Sequence, residues 1–181
     1  MYNGEFKNDF NVASELGNIL LPVLNKYFKK GNVIHTEHLG ESVANLLDKY
    51  SGIDGLFISD KDISGVALRV QQHSQRNWET FTIRYRRHTG TLTEYEKRKK
   101  QIYNSNDRVF YPHYTCQAYF SGDNILLGGA FCVTKELFDI AIKYEPFNQC
   151  DTVYIQTNSS DGNTFIVVPF NLFADERILK F

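Results

Sequence analysis

Residues Gly52–Gln71 read GIDGLFISDKDISGVALRVQ, and this stretch decides the fold class. An apolar run, Ile53–Ser59, leads into polar turn chemistry at Ser59-Asp60-Lys61-Asp62, and a second run, Gly65–Gln71, follows. Short Ser and Asp side chains favour such a turn because they hydrogen-bond to nearby backbone. In the second run Val66, Leu68 and Val70 share one face of a strand, because strand side chains alternate. Ala67, Arg69 and Gln71 share the other face. Two strands about a short turn mark the beginning of a sheet.

Upstream, Asn11–Phe28 reads as a helix. Val12, Leu16, Ile19, Leu20, Val23, Leu24 and Tyr27 recur at steps of three and four and form one apolar stripe. Pro22 lacks an N–H and predicts a kink or a local break near Leu21, while Lys29, Lys30 and Gly31 suit a helix C-terminus. Val33–Thr36 reads as a short strand and Gly40–Leu47 as a short helix or turn.

Downstream, Thr80–Arg86 alternates Phe81, Ile83 and Tyr85 against Thr82, Arg84 and Arg86, the pattern of a third strand. Thr93–Tyr103 reads as a charged helix that Thr91 or Thr93 would cap, with Glu94 and Glu96 in its first turn. Tyr114–Phe120 and Leu126–Thr134 are strands about a Gly122-Asp123-Asn124 turn, and Lys135–Lys143 is a helix. Thr152–Thr157 and Thr164–Pro169 close the pattern as a hairpin. Helix, then clustered strands, then helix–strand alternation predicts an α/β fold, a central mixed sheet flanked by helices, in one domain over residues 1–181.

Composition narrows the function classes. Hydrophobic residues make up 42% of the chain and charged residues 23%, which fits a globular core and argues against disorder. The 11 Tyr and 14 Phe fit an aromatic core, with stacking surfaces for bases or a partner as the other use of such side chains. A formal net charge of -1 excludes a domain that coats DNA through bulk charge, but leaves room for a local basic face. Met1–Phe10 carries Glu5, Lys7 and Asp9 and lacks the apolar core of a signal peptide, and the longest apolar runs fall short of a bilayer span. Cys116, Cys132 and Cys150 are odd in number and have no paired spacing, so reduced thiols in a cytoplasmic protein without membrane contact are expected.

Among charged residues Asp54 stands out, because it interrupts an apolar strand and a carboxylate is costly to bury unless paired, hydrogen-bonded or bound to a cation. It is read either as a turn-side Asp or as a metal ligand. Glu15 flanks the apolar stripe of the first helix, either as a solvated carboxylate or as an auxiliary metal ligand. Arg69 and Gln71, two apart on one strand, aim at one point. Arginine has no electron pair for a metal but holds phosphate, and Gln71 could orient a water. Arg84, Arg86, Arg87 and His88, followed by Lys97, Arg98, Lys99 and Lys100, form the best basic cluster, with Tyr85, Tyr95 and Tyr103 interleaved. On one face they would contact phosphates; otherwise they are a solvated charged surface, with Glu94 and Glu96 pairing internally. His35, His38 and Glu41 have the spacing of a helical metal site, yet Gly40 and the strand-like residues before His35 argue against a helix there.

The helix–strand–strand order, with Asp54 in Gly52-Ile53-Asp54-Gly55 and the pair in Val66-Ala67-Leu68-Arg69-Val70-Gln71, resembles the PD-(D/E)XK nuclease superfamily of restriction enzymes, resolvases and repair exonucleases. The resemblance covers about Asn11–Phe120. It implies a restriction-endonuclease-like fold, with a four-stranded mixed sheet and helices on both sides. It also implies an Mg2+-dependent endonuclease acting on DNA, with Mn2+ as a substitute. Carried over, the strand Asp falls on Asp54 and the first-helix Glu on Glu15, the implied metal ligands. The acid position falls on Arg69, a charge reversal that removes a ligand, and the lysine position on Gln71. The resemblance also places the helix after the second catalytic strand near substrate, which here is the Lys97–Lys100 helix. Cutting both strands of a duplex would suit a homodimer. Three readings stand: a variant endonuclease, a catalytically silent module that grips DNA or RNA, and a protein-interaction domain.

Overall fold

The computed structural model describes residues 15–26, 28, 31–47, 51–86, 93–104, 110–145, 147, 152–158 and 162–181. Its helices are α1 (15–26), α2 (Glu41–Leu46), α3 (Glu94–Tyr103) and α4 (Thr134–Lys143). The strands are β1 (Gly31–His35), β2 (Gly55–Ser59), β3 (Ile63–Gln71), β4 (Thr80–Arg86), β5 (Tyr114–Phe120), β6 (Leu126–Val133), β7 (Tyr154–Thr157), β8 (Thr164–Pro169) and β9 (Ile178–Lys180). Short 3-10 turns occupy Thr36–Leu39, Phe170–Leu172 and Asp175–Arg177.

A mixed six-stranded sheet, in the order β1-β2-β3-β5-β6-β9, forms the centre, and a three-stranded sheet, β4-β8-β7, packs beside it. Among the described residues only β3 and β5 run parallel, and the other ladders are antiparallel. The alternation on β3 has the consequence read from the sequence. Val66 joins Leu16, Leu20 and Leu24 of α1 in a core with Val33, Cys116, Ala118, Phe120 and Phe131. The opposite face packs Tyr119, Ala130 and Cys132 against Phe81 and Ile83 of β4, Ile166 and Val168 of β8, Tyr95 of α3, and Leu137, Phe138 and Ala141 of α4. Helices therefore flank the central sheet on both sides, as the α/β reading requires.

Several boundaries differ from expectation for physical reasons. Of the kink or local break expected near Leu21, the break does not occur: α1 is continuous through Pro22, which sits on its exposed side. Its buried stripe is Leu16, Leu20 and Leu24, a step of four, and Ile19 is 41% exposed. Residues 11–14 and Tyr27 of the expected helix lie outside the described residues. β2 begins at Gly55, two residues later than the apolar run suggests, because Asp54 turns its side chain into the ladder. The Ser59–Asp62 turn closes as expected, with Ser59 N–H donating to the Asp62 carbonyl at 2.9 Å. Thr134 opens α4 instead of ending β6. β9 and the three 3-10 turns were not foreseen. His35 ends β1 and His38 lies in the following 3-10 turn, so the two do not share a helix.

Candidate functional site

Asp54 sits at the junction where β2 starts. Its backbone N–H donates to the Val66 carbonyl at 2.9 Å, and its own carbonyl accepts from the Thr36 N–H and hydroxyl, both at 3.0 Å. Its carboxylate Oδ2 accepts the Leu68 N–H at 2.8 Å. A side chain thus takes the place of a backbone acceptor in the ladder, which accounts for a half-buried carboxylate in an apolar stretch.

One residue beyond Leu68, Arg69 points to the opposite face of β3 and pairs with Glu94 at the start of α3. The Arg69 and Glu94 side chains are only 25% and 19% exposed. Glu94 Oε2 also accepts the Arg84 N–H at 3.1 Å. Glu94 is placed there because α3 starts at a well-defined point. Thr93 and Glu96 form a capping box, in which each side chain takes the other residue's backbone N–H. Burial pushes the Glu94 carboxyl up, but the charge and hydrogen bond of Arg69, the Arg84 N–H and the charge of Arg98 outweigh it and hold the group below the usual carboxylate range. Burial lowers Arg69, while Glu94 and the charge of Asp54 raise it above its ordinary value.

Arg98 completes the cluster. It is only 6% exposed and donates to the Ser51 carbonyl at 2.9 Å and to Gln101 Oε1 at 2.8 Å. Burial pushes its guanidinium down to about 10, and the charge of Arg69 adds to this against the pull of Glu94 and Asp54. Gly52 makes room for it. The glycine holds φ +62, and a Cβ there would lie 2.9 Å from Arg98 Nη2.

Among the residues expected to carry function, the structure brings Asp54, Arg69 and Arg98 into one electrostatic neighbourhood with Glu94. Glu15 is exposed on α1 and Gln71 is exposed at the end of β3. Among the described residues no three of His, Cys, Asp and Glu gather to hold a metal ion. Two guanidinium groups already face Asp54 and Glu94, and a divalent cation placed there would meet their charge.

The basic cluster divides. Lys97 and Lys100 are exposed on α3, and Arg86 is exposed at the end of β4 with its guanidinium carbon 5.2 Å from the Tyr85 ring centroid. Lys99 pairs with Glu145 at 2.6 Å and lies over the Tyr95 ring. Arg84 is half-buried, 5.8 Å from the Phe165 ring centroid. Arg87 and His88 lie outside the described residues. Arg98 points inward, which helical spacing could have revealed: it is three residues after the buried Tyr95 and four before Ile102, which packs on the same core. Glu94, which the sequence marks as a helix-start acid that pairs within the basic face, is the hub of the ionic cluster, and its partner is Arg69 on β3.

No helix among the described residues is long and apolar enough to cross a membrane. No family model matches the chain, and no curated protein or solved structure matches it either.

Proposed function

We propose that this domain is a nucleic-acid-binding module on a restriction-endonuclease-like scaffold, gripping phosphates without cleaving them. The observation that carries this reading is the outer side of α3, where Lys97 and Lys100 are both exposed one turn apart, with Arg86 exposed on β4. Cations placed this way contact phosphate oxygens and release counterions from the nucleic acid. The scaffold reading draws on β1-β2-β3-β5, a mixed four-stranded unit with α1 on one face and α3 on the other. Binding is favoured over hydrolysis because Arg69 stands at the acid position of the resembled motif and is held by Glu94. DNA is the first ligand to test, and RNA offers the same phosphates.

The test is fluorescence anisotropy with labelled DNA and RNA, in EDTA and in Mg2+ or Mn2+. Binding that persists in EDTA, leaves the nucleic acid intact and weakens in K97E/K100E supports the proposal. Unchanged affinity of that variant at low salt would remove the α3 face. Metal-dependent cleavage abolished by Asp54→Ala would favour the endonuclease reading instead, with Glu15 and Asp54 as Mg2+ ligands and Gln71 placing the water.

A further inference from the structure

The loop between β3 and β4, residues 72–79, is held from several sides. Ser74 is buried, its N–H donates to the Phe120 carbonyl at 2.8 Å, and its hydroxyl donates to the Arg76 carbonyl at 2.7 Å. Gln72 Nε2 donates to Asn124 Oδ1 at 2.7 Å, tying the loop to the β5–β6 turn. Asn77 Oδ1 accepts the Glu79 N–H at 3.1 Å, and its side-chain nitrogen packs so close to Gly128 that a Cβ there would lie 2.5 Å from it. His73, Glu79 and Asn124 all hold left-handed backbone, at φ 56, 53 and 59. Asn and His enter that region readily, whereas Glu79 persists there only where its surroundings hold it, and such strain gathers at binding sites.

This hydrogen-bonded loop displays Trp78, the chain's single tryptophan, at 43% exposure. The Arg76 guanidinium carbon stands 4.1 Å from the centre of the Trp78 ring. Gln71, His73 and Gln75, earlier in the same stretch of chain, are also exposed. An exposed indole on a loop tied down by hydrogen bonds, with a cation at its ring, has the components of a base-stacking platform, and those hydrogen bonds lower the ordering cost of binding.

We propose that Trp78 and Arg76 bind an unpaired nucleobase of a single-stranded nucleic acid. The base stacks on the indole, and Arg76 reaches its phosphate or extends the stack. This rests on the nucleic-acid reading above and makes it more specific, because a duplex keeps its bases stacked on one another and offers none to Trp78. Arg76 is the one permanent cation of residues 71–79 and Glu79 the one acid, so stacking rather than net charge supplies affinity at this site.

The test uses the full chain and a short oligothymidylate. Because Trp78 is the only tryptophan, its emission reports contact directly, while anisotropy of a labelled oligonucleotide reports binding anywhere on the protein. The expected result is quenching that saturates with the anisotropy change. Affinity should fall about tenfold in Trp78→Ala, as for loss of one stacked base, and be largely restored in Trp78→Phe. The salt dependence should be unchanged in both variants, and a matched duplex should not quench. Full anisotropy binding with unaltered Trp78 emission and an unaffected Trp78→Ala variant would overturn the platform and leave the α3 face standing. Equal quenching by the duplex would overturn the single-strand preference. Absence of any binding would overturn both the platform and the reading beneath it. Circular dichroism of Trp78→Ala confirms that the exposed substitution leaves the fold in place.

Discussion

The Arg84 N–H donates to Glu94 Oε2 at 3.1 Å, so a carboxylate on α3 closes part of the outer edge of β4. Two residues earlier on the same edge, the Thr82 N–H donates to Gln117 Oε1 at 3.3 Å. Open strand edges invite pairing with other chains, and here side chains from a helix and from the neighbouring sheet occupy this one. Glu94 therefore joins three elements: β3 through Arg69, β4 through Arg84, and α3 itself.

Glu94→Ala should destabilise the domain by roughly 2–3 kcal/mol in urea unfolding, below the fully buried range because solvent still reaches both partners. The loss comes mostly from the Arg69 charge left without its counterpart. Arg69→Met combined with Glu94→Leu should recover much of it, since the uncompensated charge is then gone.

Glu94→Gln separates charge from hydrogen bonding, because the amide oxygen can still accept the Arg84 N–H. Its folded carboxyl lies below the usual range, so its stabilisation is fully present above the unfolded value of about 4.3 and is lost as pH falls through the folded value. The stability gap between wild type and Glu94→Gln should be constant near neutrality and close below about pH 4. A gap that widens on acidification would refute the ionic role of Glu94.

Leu20→Ala should cost about 3 kcal/mol, within the span for a buried leucine truncated to alanine. Leu20 is fully buried in the stripe that seats α1 on the sheet. Ile19→Ala, one position away on the exposed side, should change the urea midpoint little. Similar losses at both positions would mean that the helix is seated through a different stripe.

Gly129→Ala should be among the most damaging single changes, about 3 kcal/mol or more. A Cβ there would stand 2.2 Å from the Gln117 carbonyl oxygen and 2.7 Å from the Phe181 ring. Gly129 also exchanges two backbone hydrogen bonds with Phe181, at 3.0 and 3.1 Å, so relief by shifting β9 would break both. Circular dichroism melts decide the matter.

Lys97→Ala and Lys100→Ala should each lower the slope of log affinity against log salt by about 1 if the residue contacts a phosphate. Arg98→Ala should act differently, destabilising the fold by about 2 kcal/mol through the Ser51 carbonyl and Gln101 it leaves behind.

Local signals in the sequence carried far. Thr80–Arg86, Tyr114–Phe120 and Thr164–Pro169 are strands at the expected limits, and Thr93 caps α3, because alternation and capping depend on neighbours in the chain. What pairs with what was not legible. β4 leaves the central sheet for β8, and Arg69 finds Glu94 25 residues away, partners that no local period specifies. Lys97-Arg98-Lys99-Lys100 reads as one basic run, yet the helix turns Arg98 inward, lays half-buried Lys99 over Tyr95 and exposes only Lys97 and Lys100. β9 was missed because three residues are too few to show alternation.

The parallel β3–β5 ladder has a consequence for biogenesis. Gln71 and Tyr114 bracket a long excursion that includes β4 and α3, and β4 in turn awaits β8, which begins at Thr164. Closing such distant pairings is slow, because the loop entropy is spent before the contacts form. A ribosome-bound chain halted between Arg86 and Thr164 would carry β4 without its strand partner. That interval of synthesis, more than the finished fold, is where a chaperone would be needed.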